Sequence, residues 1–142
     1  DELHTIELGK AQFRAAKDRF KHVPQVKCYL GDSAEVLAAV LSEIKEPALI
    51  WLDGHYSGPG TASGIQNCPA MDEVRAIIAD GRPHVVLIDD ARCFYGGVHN
   101  PIGGTPMYDH YSTWDSLENV QALAESGGFK FVIKDDIIRL TP

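Results

Sequence analysis

Two apolar runs in this chain stop abruptly at acid: residues 48–52 lead into Asp53, Gly54 and His55, and residues 85–88 lead into Asp89 and Asp90. Short apolar runs bounded in this way read as buried parallel strands, and open α/β sheets bind ligands at the carboxyl ends of such strands. Carboxylates at neighbouring strand ends repel one another unless a cation or bound protons compensate. Asp53, Asp89 and Asp90 therefore suit a hard divalent ion, Mg²⁺ or Mn²⁺, which takes one or two carboxylates and leaves positions for water and substrate oxygens. The competing reading is structural, with Asp89 or Asp90 capping the following turn and Asp53 bonded to loop amides. His55, two residues past Asp53, has the proton affinity of a general base near neutral pH, or is an ordinary loop histidine. His99 and His110, among Tyr95, Tyr108 and Tyr111, read as lid or substrate contacts, because no HxH or HExxH spacing occurs.

Other candidates are weaker. The glycines from Gly58 to Gly64 match neither GxGxxG nor the P-loop pattern, so a substrate loop is the better reading than a phosphate cradle. Glu7 and Asp32 each end an expected strand, where an acid can accept hydrogen bonds from ribose hydroxyls or an adenine amine. Surface solvation is the alternative for each of them, and Asp32 with Glu35 also has capping-box spacing. Cys28, Cys68 and Cys93 are odd in number and lack CxxC spacing, which predicts buried free thiols; Cys93 alone falls near the acids.

The elements that must position these residues alternate. Residues 3–7 read as a strand and 9–20 as a helix with Phe13, Ala16 and Phe20 at helical spacing. Residues 26–30 form the next strand, and the helix after Asp32 and Ser33 carries Val36, Leu37, Val40, Leu41 and Ile44 on one side. A strand ending at Leu52, a loop to Cys68, a helix from Pro69 and a strand over 84–88 follow. After a loop over 91–111, Ser112 is expected to cap a helix bearing Trp114, Leu117, Val120 and Leu123. Residues 129–134 and 137–140 then form an antiparallel hairpin turning at Asp135 and Asp136. This is a single α/β domain over 1–142: a Rossmann-like, mostly parallel sheet with helices on both faces and a C-terminal antiparallel hairpin.

Bulk properties narrow the function. A chain of 142 residues, 44% of them hydrophobic, is enough for one core. Twenty acidic against thirteen basic residues, net −7, exclude a nucleic acid as the main partner. No apolar stretch approaches the roughly 20 residues that span a bilayer, and the first residues do not begin a signal peptide, so the expectation is a cytoplasmic protein with no membrane association.

Taken together, Ile6-Glu7, Gly31-Asp32-Ser33, Leu52-Asp53-Gly54-His55 and the Leu87 to Asp90 segment resemble the motifs ending the second to fifth strands of class I S-adenosylmethionine-dependent methyltransferases. The combination of Asp53 with Asp89 and Asp90 is most similar to metal-dependent O-methyltransferases of the macrocin type. The resemblance implies that Glu7 binds the ribose of S-adenosylmethionine and that Asp32 and Ser33 bind its adenine end. It further implies that Asp53 borders both cofactor and metal, that Asp53, Asp89 and Asp90 hold Mg²⁺ or Mn²⁺, and that His55 is the base. The activity implied is O-methylation of a small-molecule substrate; the alternatives are a non-catalytic binding or assembly module with the same fold and a metal-dependent hydrolase. The family's first strand and glycine-rich turn would precede Leu3 and lie mid-sheet. The expectation is therefore that 3–7 and 48–52 lack a neighbour, and that a second copy in a homo-oligomer, or an N-terminal segment, covers the gap.

Overall fold

The computed structural model describes residues 2–56, 58–94, 111 and 113–142. Strand and helix alternate as the apolar periodicity dictates. β1 (Leu3–Glu7) and β2 (Val26–Leu30) pair in parallel, with α1 (Lys10–Arg19) between them. α2 (Ser33–Glu43) is capped by Asp32, whose side chain accepts the Ala34 N–H at 3.1 Å. β3 (Leu49–Leu52) follows, then α3 (Ala70–Asp80), which starts after Pro69 and stops at Gly81, held at φ 76°. β4 (Val85–Ile88), a short 3₁₀ turn at Ala91–Cys93, α4 (Leu117–Ser126), β5 (Lys130–Lys134) and β6 (Ile137–Thr141) complete the order.

One helix start differs from expectation. The cap of α4 is Ser116, whose hydroxyl accepts the Asn119 N–H at 3.2 Å, while Ser112 lies outside the described residues. Trp114 precedes the helix because the Leu117 N–H is taken by the Phe94 carbonyl at 2.9 Å, which pins the chain before the first turn. The indole is instead buried against Phe94 and Tyr111.

β3 and β4 are parallel, β4 and β6 antiparallel, and β6 pairs with β5, giving the order β3-β4-β6-β5. Asp135 and Asp136 both take positive φ, 57° and 64°, as a two-residue hairpin turn requires. β1-β2 forms a separate two-stranded sheet, so β1 and β3 each keep one edge without a partner strand among the described residues. From β1 the chain crosses to β2 in one direction, and from β2 it returns past β1 to β3 in the other. Right-handed crossovers of opposite direction put α1 on one face and α2, α3 and α4 on the other.

That second face holds the core. Val86, Ile88, Ile138 and Leu140, at most 2% exposed, meet Val74 and Ile77 of α3 and Val120 and Ala124 of α4, with Leu37 and Leu41 of α2 alongside. On the other face of the four-stranded sheet, Leu49, Trp51 and Val132 are 69%, 51% and 54% exposed.

Candidate functional site

A change of crossover direction opens a crevice at the carboxyl ends of the strands involved. Here that point lies between β1 and β3, with Glu7 ending one strand and Asp53 following the other. One strand further on, Asp90 adopts the left-handed conformation, φ 55°, and turns the chain off β4 into the 3₁₀ turn. This turn and the loop after β3 converge on His55.

The His55 ring lies between two carboxylates, with Nδ1 3.4 Å from Asp53 Oδ1 and Nε2 3.1 Å from Asp90 Oδ2. Its side chain is only 10% exposed and packs on the Trp114 indole, ring centres 4.8 Å apart. A neutral imidazole carries one N–H, so one nitrogen can donate to a carboxylate while the other turns a lone pair toward the second. Two acceptors face to face repel, and a proton or a cation between them removes the conflict. One ligand atom each from Asp53, His55 and Asp90 fall within 4.8 Å of one another, a donor set that fits a divalent ion.

Asp89 is placed differently. Its Oδ1 accepts the Asp90 N–H at 2.9 Å, and the residue lines a small cavity with His55, Gly54 and Glu73. Asp53 is half-exposed, yet its carboxyl is held above the usual carboxylate range, chiefly by desolvation, with Asp89 and Asp90 adding and His55 opposing. Burial pushes the Cys68 thiol up to about 12 and raises Cys93 as well, so neither is a thiolate nucleophile near neutral pH.

Of the cofactor candidates, the Glu7 carboxylate has no hydrogen-bond or ion-pair partner among the described residues and lies at the open crevice. Asp32 is already engaged: besides capping α2, its Oδ2 accepts the Ile65 N–H at 3.4 Å. A Cβ added at Gly64 would fall 2.3 Å from that same oxygen, so the loop lies directly on Asp32. Ser33 hydrogen-bonds Glu73, and a Cβ at Gly54 would sit 3.1 Å from Ser33 Oγ and 3.5 Å from Glu73 Oε1. Glu7 thus ends β1, and Asp32 and Ser33 follow the adjacent parallel strand β2 at the same end of the sheet.

Two residues that the motifs did not single out belong to this region. Glu73, 2% exposed, lies under the site with its carboxyl raised to about 7 by burial. Its signal is helical spacing: Ala70, Glu73, Val74 and Ile77 form the buried stripe of α3, and an acid on such a stripe is unusual. Arg92 pairs with Asp90 and with Asp136, contacts that depend on where the hairpin tip folds and have no local signal. The candidates His99, His110, Tyr95 and Tyr108 lie outside the described residues.

No protein-family profile and no curated protein matches the chain. Solved structures do. The S-adenosylhomocysteine-bound methyltransferase PaMTH1 of Podospora anserina superposes with a TM-score of 0.59 at 17% identity, over 99% of this chain and 60% of its own. A Staphylococcus aureus protein assigned as a caffeoyl-CoA O-methyltransferase superposes with a TM-score of 0.57 at 16% identity, over 99% and 65%. This chain therefore spans less than two thirds of the length of either structure.

Proposed function

We propose that this chain, which has the class I S-adenosylmethionine-dependent methyltransferase-like fold, contributes to methyl transfer from S-adenosylmethionine to a hydroxyl of a small molecule. The observation that carries the reading is the His55 ring set between the Asp53 and Asp90 carboxylates at the strand ends. A base in that position can take a hydroxyl proton while the flanking carboxylates balance the charge it gains.

Asp53 and Asp90 are the residues that would hold Mg²⁺ or Mn²⁺, with Asp89 fixing the Asp90 backbone through its 2.9 Å hydrogen bond. Such an ion, when bound, lowers the pKa of a coordinated hydroxyl and orients it. S-adenosylmethionine, when bound, would supply the sulfonium methyl for transfer to the hydroxyl oxygen, with its thioether as the leaving group. Glu7 accepts the ribose hydroxyls, Asp32 and Ser33 meet the adenine end, and Trp114 holds His55 at a fixed tilt.

The deciding experiment is calorimetric titration with S-adenosylhomocysteine, with and without Mn²⁺. Heat of binding that increases with Mn²⁺ is expected, and no heat in either case overturns the reading. The open edges of β1 and β3 favour a second reading, a non-catalytic binding or assembly module of the same fold. That reading gains if the same titration is silent.

A further inference from the structure

Asp90 is a non-glycine residue in the left-handed region, φ 55°, and its two carboxylate oxygens face different partners. Oδ2 faces His55 Nε2 at 3.1 Å, and Oδ1 accepts from Arg92 Nη2 at 2.6 Å. Without the second contact the carboxylate could rotate and offer either oxygen, or both, to the crevice. Arg92 removes one of them.

Arg92 is itself gripped from the far side. Its backbone N–H donates to Asp136 Oδ1 at 2.9 Å, its guanidinium donates to Asp136 Oδ2, and the Asp136 carbonyl accepts the Ala91 N–H at 2.9 Å. The tip of the β5-β6 hairpin thus locks the turn that carries Asp90. The Arg92 and Asp136 side chains are 48% and 36% exposed, and ion pairs as exposed as this add little to stability. Their consequence is geometric.

We propose that Arg92, anchored by Asp136, is a positioning residue that presents a single Asp90 oxygen to a divalent cation; this rests on Asp53 and Asp90 being the cation's ligands. Ligating carboxylates are commonly held by such outer partners, whose loss weakens metal binding about 10- to 100-fold.

The test is calorimetric titration of the full chain with Mn²⁺, with melting temperature as the control for folding. Arg92→Gln is expected to weaken Mn²⁺ binding at least about tenfold at nearly unchanged melting temperature. The sign is diagnostic, because deleting a neighbouring positive charge by itself strengthens cation binding. Asp136→Asn keeps an acceptor for the Arg92 N–H and tolerates the left-handed turn, but loses the charge that holds the guanidinium. It should weaken binding in the same direction by less. An Arg92→Gln variant that binds Mn²⁺ as tightly as the wild type, or more tightly, overturns the positioning role and leaves the cation site standing. A wild type that takes up no Mn²⁺ overturns the cation site and the positioning role with it.

Discussion

Among single residues, Glu73 has the most direct consequence for stability. Its carboxyl is buried on α3 and raised from 4.5 to about 7, chiefly by desolvation. Between those two values the folded protein holds a proton that the unfolded chain has released, so stability falls as pH rises through the window and levels off above it. A shift of this size corresponds to about 3 kcal/mol. Glu73→Gln keeps the shape and removes the titration, so thermal melts at pH 5 and pH 8 should differ for the wild type and hardly at all for the variant. Equal pH slopes in the two proteins would mean that the carboxyl is solvated. His55 and Asp90 separate in the same spirit: with His55 as base and Asp90 as ligand, His55→Ala should keep Mn²⁺ affinity within a few-fold in calorimetry, whereas Asp90→Asn should lose most of it. The reverse order would make the imidazole the stronger ligand.

Elements meet at a junction that the sequence shows only as a helix stop. Gly81, Arg82 and Pro83 do end α3, but Arg82 also reaches the last turn of α2, donating to the Leu41 and Ile44 carbonyls at 2.6 Å each and to both Asp80 oxygens at 2.7 Å. These bonds hold the Asp80 carboxyl far below the usual carboxylate range, with His84 contributing. Buried His84 accepts the Ala48 N–H on Nδ1 at 3.0 Å, so its Nε2 carries the hydrogen donated to Asp80 at 2.8 Å. Arg82→Ala would remove the guanidinium bonds to the Leu41 and Ile44 carbonyls and leave His84 as the remaining side-chain partner of Asp80, a loss of about 2–3 kcal/mol by urea denaturation. Arg82→Lys should recover only part of it, since a point charge cannot make the fork. A loss below about 0.5 kcal/mol, in the range of ordinary surface substitutions, would show that water replaces the network. The strands were legible to within a residue because apolar, β-branched runs such as residues 85–88 stop at acids or turn residues. The α4 cap was not, because Ser112 and Ser116 are equivalent locally and the bond from Leu117 to Phe94 decides between them. The pairing of His55 with Asp53 and Asp90 lay within reach of strand-end reasoning, whereas Arg92 and Arg82 act across elements that only the fold brings together.

At the scale of the whole molecule, the unfinished feature is the split between the two sheets. α2 packs on both β1 and α3 and so ties the halves together, yet β1 and β3 leave their facing edges without strand partners among the described residues. On the same side as Trp51 and Leu49, the register places Val85 and Leu87 next, before Arg139 of β6 separates them from Val132, so an apolar patch on β3 and β4 adjoins an open edge. Unpaired backbone and exposed apolar area in one place favour association, and the occupant expected for this chain alone is a second copy. Sedimentation equilibrium should therefore show concentration-dependent dimers. Trp51→Lys replaces an indole that is 51% exposed with a charge, which should weaken association at least about tenfold while leaving the melting temperature of the monomer nearly unchanged. Hydrogen exchange supplies the second readout: amides of β1 and β3 that point into the split should slow as protein concentration rises, and those already paired with β2 and β4 should not change. A chain that stays monomeric at high concentration, with fast exchange along both edges, would show that water satisfies the split and that neither sheet recruits a partner strand.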